Sequence, residues 1–176
     1  MKKIAVLASG SGSNAESIIL HFKDSKKAIV SLVASNKPEA FVLERAKMHK
    51  IPFFTFNRSD LDGGVVRDLL VKNKIDLVVL AGFLLKVPDN LIESFPTSII
   101  NIHPALLPKF GGKGMYGRFV HQAVKQMGEK RSGITIHYVN NHYDEGEIIF
   151  QKSVEILPEY SPEDIANKVL ALEHKY

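Results

Sequence analysis

The chain contains no cysteine among its 176 residues. That excludes disulfides, thiolate zinc sites and a cysteine nucleophile, and it fits a cytoplasmic protein. No apolar run approaches the roughly 20 residues that a membrane-spanning helix needs, so no membrane partner is expected. The opening run Met1-Lys2-Lys3-Ile4-Ala5-Val6-Leu7-Ala8 has too short an apolar core for a signal peptide, and Ser9-Gly10-Ser11-Gly12-Ser13 follows at once. It reads as a first strand. Lysine and arginine are scattered rather than massed, so the net charge of +4 gives no sign of a nucleic-acid groove. A mild positive excess suits a small anionic substrate, or a plain solvated surface. There is no internal repeat, low-complexity tract, linker or metal-ligating cluster. The length suits a single domain, residues 1–176, with a substantial core.

What is present is an alternation. Strand-like runs near 4–8, 28–34, 53–56, 77–81 and 99–102 are separated by helical stretches near 14–22, 39–49, 65–72 and 88–94. This predicts an α/β fold, with a mainly parallel twisted sheet and helices on both faces. The pattern changes after residue 130. Ile134, Ile136 and Tyr138 alternate with Thr135, His137 and Val139 as in a half-buried strand, and residues 147–154 form another. Joined through 140–146, the two predict an antiparallel addition near the C-terminus. A last helix starts at Pro162, with Ser161 as N-cap and Asp164 at N3.

Three features carry chemistry. In Ser98-Ile99-Ile100-Asn101-Ile102-His103-Pro104, Asn101 and His103 lie two apart, so on a strand they share a face. They sit at its carboxyl end, where open α/β sheets bind ligands. An amide can donate to a developing oxyanion, and an imidazole can move protons. Gly10-Ser11-Gly12-Ser13-Asn14-Ala15 follows the first strand, where backbone N–H groups at a helix start can hold a phosphate. Its G-x-G-x-x-A spacing also matches a dinucleotide fingerprint, but Val33-Ala34-Ser35-Asn36-Lys37 lacks the acid expected at the end of the second strand. Asp144, in His142-Tyr143-Asp144-Glu145-Gly146, is a carboxylate that would orient an imidazole and raise its pKa, if the fold brings the two together. Of the other candidates, His121 reads as a surface residue on a helix. His137 reads equally as a site neighbour or as a polar residue on a half-exposed strand. The glycine-rich run 109–117 reads as a lid or as a plain flexible connection.

Taken together, Gly10-Ser-Gly-Ser-Asn14, Ser35-Asn-Lys37, Leu80-Ala-Gly-Phe83, Asn101-Ile-His-Pro-Ala-Leu-Leu-Pro108, Gly133-Ile-Thr-Ile-His-Tyr-Val139, Asp144-Glu-Gly146 and Glu173-His174 resemble the glycinamide ribonucleotide formyltransferase family, folate-dependent enzymes of purine synthesis. The resemblance covers nearly the whole chain and implies a Rossmann-like formyltransferase fold. It implies 10-formyltetrahydrofolate as co-substrate, glycinamide ribonucleotide as acceptor, no metal, and a monomer or homodimer. By it, Gly12, Ser13 and Asn14 hold the substrate phosphate and Glu173 contacts the ribose. Leu84, Leu85, Lys86 and Val87, with Asn140, Asn141, His142 and Tyr143, border the pteridine pocket. Asn101, His103 and Asp144 form the catalytic set. The implied mechanism has the glycinamide amine attack the formyl carbon. Asn101 and protonated His103 stabilise the tetrahedral oxyanion, His103 and ordered water move protons to the departing folate nitrogen, and Asp144 supports the imidazolium.

The chain departs from the family pattern in places. It has Leu84-Leu85-Lys86 where many members carry Met-Arg after Gly-Phe. It lacks an arginine within Asp60–Val65, leaving Arg58 or Arg67 as stand-ins. The 109–119 loop is longer than in some members. Relatives continue beyond Glu173-His174, so the end reads as naturally short or truncated. Other readings are a formyltetrahydrofolate hydrolase, which usually carries an additional amino-terminal domain, and a nucleotide-binding module without catalysis. A methionyl-tRNA formyltransferase would need a second, RNA-binding domain.

Overall fold

The computed structural model describes all 176 residues. Seven strands form one sheet in the order β3-β2-β1-β4-β5-β6-β7. The chain divides into two compact units, Met1–Ile100 and Asn101–Tyr176.

The first unit holds β1 (Lys2–Leu7), α1 (Ser13–Phe22), β2 (Ala28–Ser35), α2 (Phe41–Met48), β3 (Phe53–Thr55), α3 (Arg58–Asp62), α4 (Val65–Lys72), β4 (Leu77–Leu80) and α5 (Asp89–Ser94). β1 pairs in parallel with β2 and with β4, and β2 pairs in parallel with β3. Central parallel strands are covered on both faces, so they read as unbroken apolar runs. Accordingly Ile4, Ala5, Val6 and Leu7 of β1 and Val78, Val79 and Leu80 of β4 are all buried. Ala15 and Ile19 of α1 and Val42, Leu43 and Ala46 of α2 enter one core with Ile4, Val6, Val30 and Val33. Each of the valine, leucine and isoleucine side chains contributes roughly 1.5–3 kcal/mol by leaving water.

α3 was not legible from periodicity. Five residues are too few to show a helical period. It forms because the Asn57 side chain accepts from the Asp60 N–H and the Asp60 carboxylate accepts from the Asn57 N–H, each at 2.9 Å. The helical stretch read from residue 88 begins one residue later, with Pro88 as the N-cap of α5.

β5 (Ile99–His103) begins in the first unit and ends in the second. The second unit continues with α6 (Arg118–Gln126), β6 (Arg131–Tyr138), β7 (Ile148–Glu155) and α7 (Pro162–Lys175). β6 and β7 are antiparallel, the expected addition. Val124, Ile134, Ile156, Ile165 and Val169 form this unit's core. β6 is not half-exposed as its alternation suggests. Thr135 and His137 are as buried as Ile134, because the face they share also meets protein. His121 on α6, read as a surface residue, is only 6% exposed. No helix is long and apolar enough to cross a membrane.

At the start of α7 the Ser161 hydroxyl accepts from the Asp164 N–H, and the Asp164 carboxylate accepts from the Ser161 N–H, as the sequence pattern requires. Replacing Ser161 by Ala should lower the thermal midpoint by about 2–4 °C, the scale of one lost N-cap in a domain of this size. Unchanged calorimetric melting would show that the cap carries no stability.

Candidate active site

The second unit gathers Asn101, His103, His137 and Asp144. His103 ends β5 with 3% of its surface exposed. Its Nε2 lies 2.7 Å from the carbonyl oxygen of Phe110. A carbonyl only accepts, so Nε2 carries the hydrogen and Nδ1 is the nitrogen that gains or lacks a proton. Nδ1 faces Asp144 Oδ2 at 3.6 Å, an ion-pair separation rather than a hydrogen bond. Phe110 holds its carbonyl there from a left-handed backbone, φ 59°, a region uncommon for a bulky residue and frequent at functional sites.

His137 completes the group. Its Nδ1 lies 2.8 Å from the Tyr138 carbonyl oxygen, so Nδ1 donates and, in the neutral ring, Nε2 accepts. Asn101 Nδ2 is 3.1 Å from Nε2. The carboxamide is therefore oriented with one N–H on His137 and its second N–H available to another acceptor. Asp144 Oδ1 is 3.6 Å from the same His137 nitrogen. The carboxylate thus faces two imidazoles, one through each oxygen.

Asp144 sits at φ 57°, a left-handed conformation that Asp tolerates better than most residues. One glycine makes room for it, and a second lets the backbone of its loop lie against β6. A Cβ on Gly111 would fall 2.6 Å from Leu107 Cδ2 and 3.1 Å from Asp144 Cβ, and a Cβ on Gly146 would collide with the Tyr138 carbonyl group. The glycine of the Asp-x-Gly motif is therefore required by close backbone approach. The Gly112 N–H donates to Asp144 Oδ2 at 2.9 Å, tying the start of the 109–117 loop to the carboxylate.

Burial pushes the Asp144 pKa up, but the His137 and His103 imidazoles and the Gly112 N–H outweigh it and hold the carboxyl below the usual range. Burial pushes His103 down, and this outweighs the upward pull of Asp144 and the Phe110 carbonyl. His121 is also pushed down by burial, reinforced by the nearby His103.

A hydrogen-bonded clamp holds the segment between His103 and Phe110. Thr135 Oγ1 donates to the Ala105 carbonyl at 2.7 Å and accepts from the Leu107 N–H at 3.0 Å. Gln151 Nε2 donates to Thr135 Oγ1 and to the Leu107 carbonyl, both at 2.9 Å.

The first unit carries the glycine-rich loop. Gly12 is the N-cap of α1 at φ 73°, and a Cβ there would also run into Val42, 2.5 Å from its Cβ. Ser13 and Asn14 open the helix. Ser9, just past β1, donates to Asn36 Oδ1 at 2.6 Å and accepts from the Leu84 N–H at 3.0 Å. This fixes the start of Leu84–Val87, of which Leu84 is exposed and Val87 buried. In the second unit Asn140, Asn141, His142 and Tyr143 are exposed, and the His142 N–H closes a turn on Asn140 Oδ1 at 2.9 Å. Glu173 is half-buried on α7. Arg58 and Arg67 are held by Asp62 and Asp68 at 2.7 and 2.8 Å.

The sequence pointed to Asn101, His103 and Asp144, and the fold brings these three together. It left His137 undecided, although its alternation with Ile136 on β6 put it on the same face as Thr135. The Phe110 carbonyl had no side-chain signal at all.

Comparison with known proteins gives a consistent picture. The "Formyl transferase" family model matches residues 2–176, spanning both units. The chain is 44% identical to the chloroplastic phosphoribosylglycinamide formyltransferase of Arabidopsis thaliana, over 99% of this chain and 62% of that protein. It is 38% identical to the phosphoribosylglycinamide formyltransferase of Bacillus subtilis, over 100% of this chain and 91% of that protein. The crystal structure of glycinamide ribonucleotide transformylase 1 from Symbiobacterium toebii superimposes with a TM-score of 0.92 at 32% identity, covering 99% of this chain and 83% of that one. The chain spans about three-fifths of the length of the Arabidopsis relative and of a similar protein from Vigna unguiculata. With the family model running through both units and this identity to a bacterial relative over nearly its full length, the chain belongs to the formyl transferase family.

Proposed function

We propose that the protein transfers a formyl group from 10-formyltetrahydrofolate to the amine of glycinamide ribonucleotide, a step of de novo purine biosynthesis, and that residues 1–176 act as one formyltransferase domain. The observation that carries this reading is the buried Asp144 carboxylate facing His103 and His137, with Asn101 oriented on His137. Family membership says that the group moved is formyl. The named relatives favour glycinamide ribonucleotide as acceptor.

In this reading Gly12, Ser13 and Asn14 hold the phosphate and Glu173 the ribose. Leu84, Leu85, Lys86 and Val87, with Asn140, Asn141, His142 and Tyr143, border the pteridine. Both partners are small molecules, and the enzyme acts as a monomer or homodimer. We assign it to the cytoplasm, which suits a chain without cysteine; the plant relatives are named chloroplastic.

The glycinamide nitrogen attacks the formyl carbon, and the carbonyl electron pair moves to oxygen. The second N–H of Asn101 donates to that oxyanion. The sequence-based mechanism begins with a protonated imidazole. The burial of His103 favours a neutral resting ring instead, so the charge forms during the reaction. The ring accepts the amine's proton through ordered water. A proton arriving at Nδ1 points at Asp144 Oδ2, and shortening that 3.6 Å gap to hydrogen-bond distance in the substrate complex would stabilise the imidazolium. The proton then passes to the folate nitrogen, the carbon–nitrogen bond breaks and the carbonyl re-forms.

The deciding assay mixes purified protein with 10-formyltetrahydrofolate, with and without glycinamide ribonucleotide, and follows folate release. Release that depends on the acceptor is expected. Release without it would indicate a hydrolase, and no release a binding module. In the same assay His103→Ala should lower turnover by about two or more orders of magnitude, and near-normal transfer would remove His103 from the mechanism.

The titration of His103 tests the role of Asp144. Because the carboxylate favours the charged imidazole against burial, Asp144→Asn should move the ring's NMR titration midpoint to lower pH. An unchanged or higher midpoint would show that Asp144 does not act on His103.

A further inference from the structure

Unlike Arg58 and Arg67, Arg45 on α2 is engaged with the glycine-rich loop itself. Its Nε–H donates to the Ser11 carbonyl at 2.8 Å, and its Nη1 pairs with Glu16 in the first turn of α1. One position earlier in the loop, the Val42 N–H donates to the Gly10 carbonyl at 3.1 Å. α2 thus holds two successive loop carbonyls. Both peptides are trans, and in a planar trans peptide the C=O and N–H point opposite ways. The carbonyls of Gly10 and Ser11 are drawn toward α2, so the N–H groups of Ser11 and Gly12 are turned away from it.

We propose that Arg45 is a positioning residue for phosphate recognition, acting through the Ser11–Gly12 peptide. The inference rests on the phosphate-binding reading of the loop given above. A guanidinium on the Ser11 carbonyl fixes the plane of that peptide and polarises its N–H, which makes Gly12 a better donor to an anion. Arg45 also answers an electrostatic problem. Glu16 places a carboxylate in the first turn of α1, where it would repel a bound phosphate. Arg45 and His49, whose Nε2 lies 3.2 Å from Glu16 Oε1, both face that carboxylate. The Phe41 ring, its centre 5.0 Å from the guanidinium carbon, packs against Arg45 and limits its rotamers.

The test compares glycinamide ribonucleotide with glycinamide riboside, the same acceptor without phosphate, in steady-state formyl transfer. The wild-type protein is expected to prefer the phosphorylated acceptor. Arg45→Met should raise KM for that acceptor about tenfold, the order expected for losing one charge-assisted hydrogen bond. It should leave kcat, the KM of the folate donor and the use of the riboside within about twofold. Arg45→Lys, which keeps the charge but loses the planar fork, should recover part of the loss and carries the test if the Met variant does not fold. Titration with inorganic phosphate, read on the Gly12 amide NMR signal, should show the same weakening. Equal losses on both acceptors, or an unchanged KM for the ribonucleotide, would overturn the role of Arg45. A wild-type protein indifferent to the acceptor's phosphate would instead overturn the phosphate reading of the loop.

Discussion

The arrangement of the second unit depends on keeping one carboxylate charged where water is scarce. Burial of Asp144 favours its neutral form, and the fold counters this with two imidazoles and one backbone N–H. Each partner has its own structural requirement. His103 must end β5 on the correct face, and His137 must lie on a face of β6 that is buried rather than solvated. Gly112 must approach closely, which requires Gly111 beside it to lack a side chain. The left-handed backbone at Asp144 and Phe110 follows from the same demand, because the loop residues there take the conformation that points the carboxylate and the carbonyl at their imidazoles.

That constraint also makes the tautomers readable. Two backbone carbonyls, of Phe110 and Tyr138, each fix one nitrogen of one ring as the donor. The other nitrogens are thereby turned toward Asp144 and, for His137, toward Asn101. His137 links the Asn101 amide to the carboxylate, and a proton taken up at His103 Nδ1 would sit directly opposite the negative charge of Asp144. In the first unit α2 does comparable work at the glycine-rich loop. Val42 leaves no space for a Cβ at Gly12, and its N–H and the Arg45 side chain hold consecutive loop carbonyls.

Much of the fold was legible because it follows local rules. Unbroken apolar runs marked β1 and β4, helical periodicity marked α4 at the boundaries observed, and Ser161 with Asp164 marked the start of α7. α3 escaped because a capping box, not a periodic face, makes it. The burial of Thr135, His137 and His121 escaped because each looks like an ordinary surface polar residue when only its neighbours in the chain are known.

The sequence by itself determined the alternating α/β order, the shared strand face of Asn101 and His103, and the motifs that tie the chain to a formyl-transferring family. These depend on side-chain period, turn chemistry and residue identity, all of them short-range. Only the tertiary structure decided that Asp144, 41 positions beyond His103, faces it at 3.6 Å, that His137 belongs to the same group, and that Arg45 reaches back 34 residues to the Ser11 carbonyl. Such contacts join separate elements through the packing of the fold, and no local pattern along the chain records the distance between them.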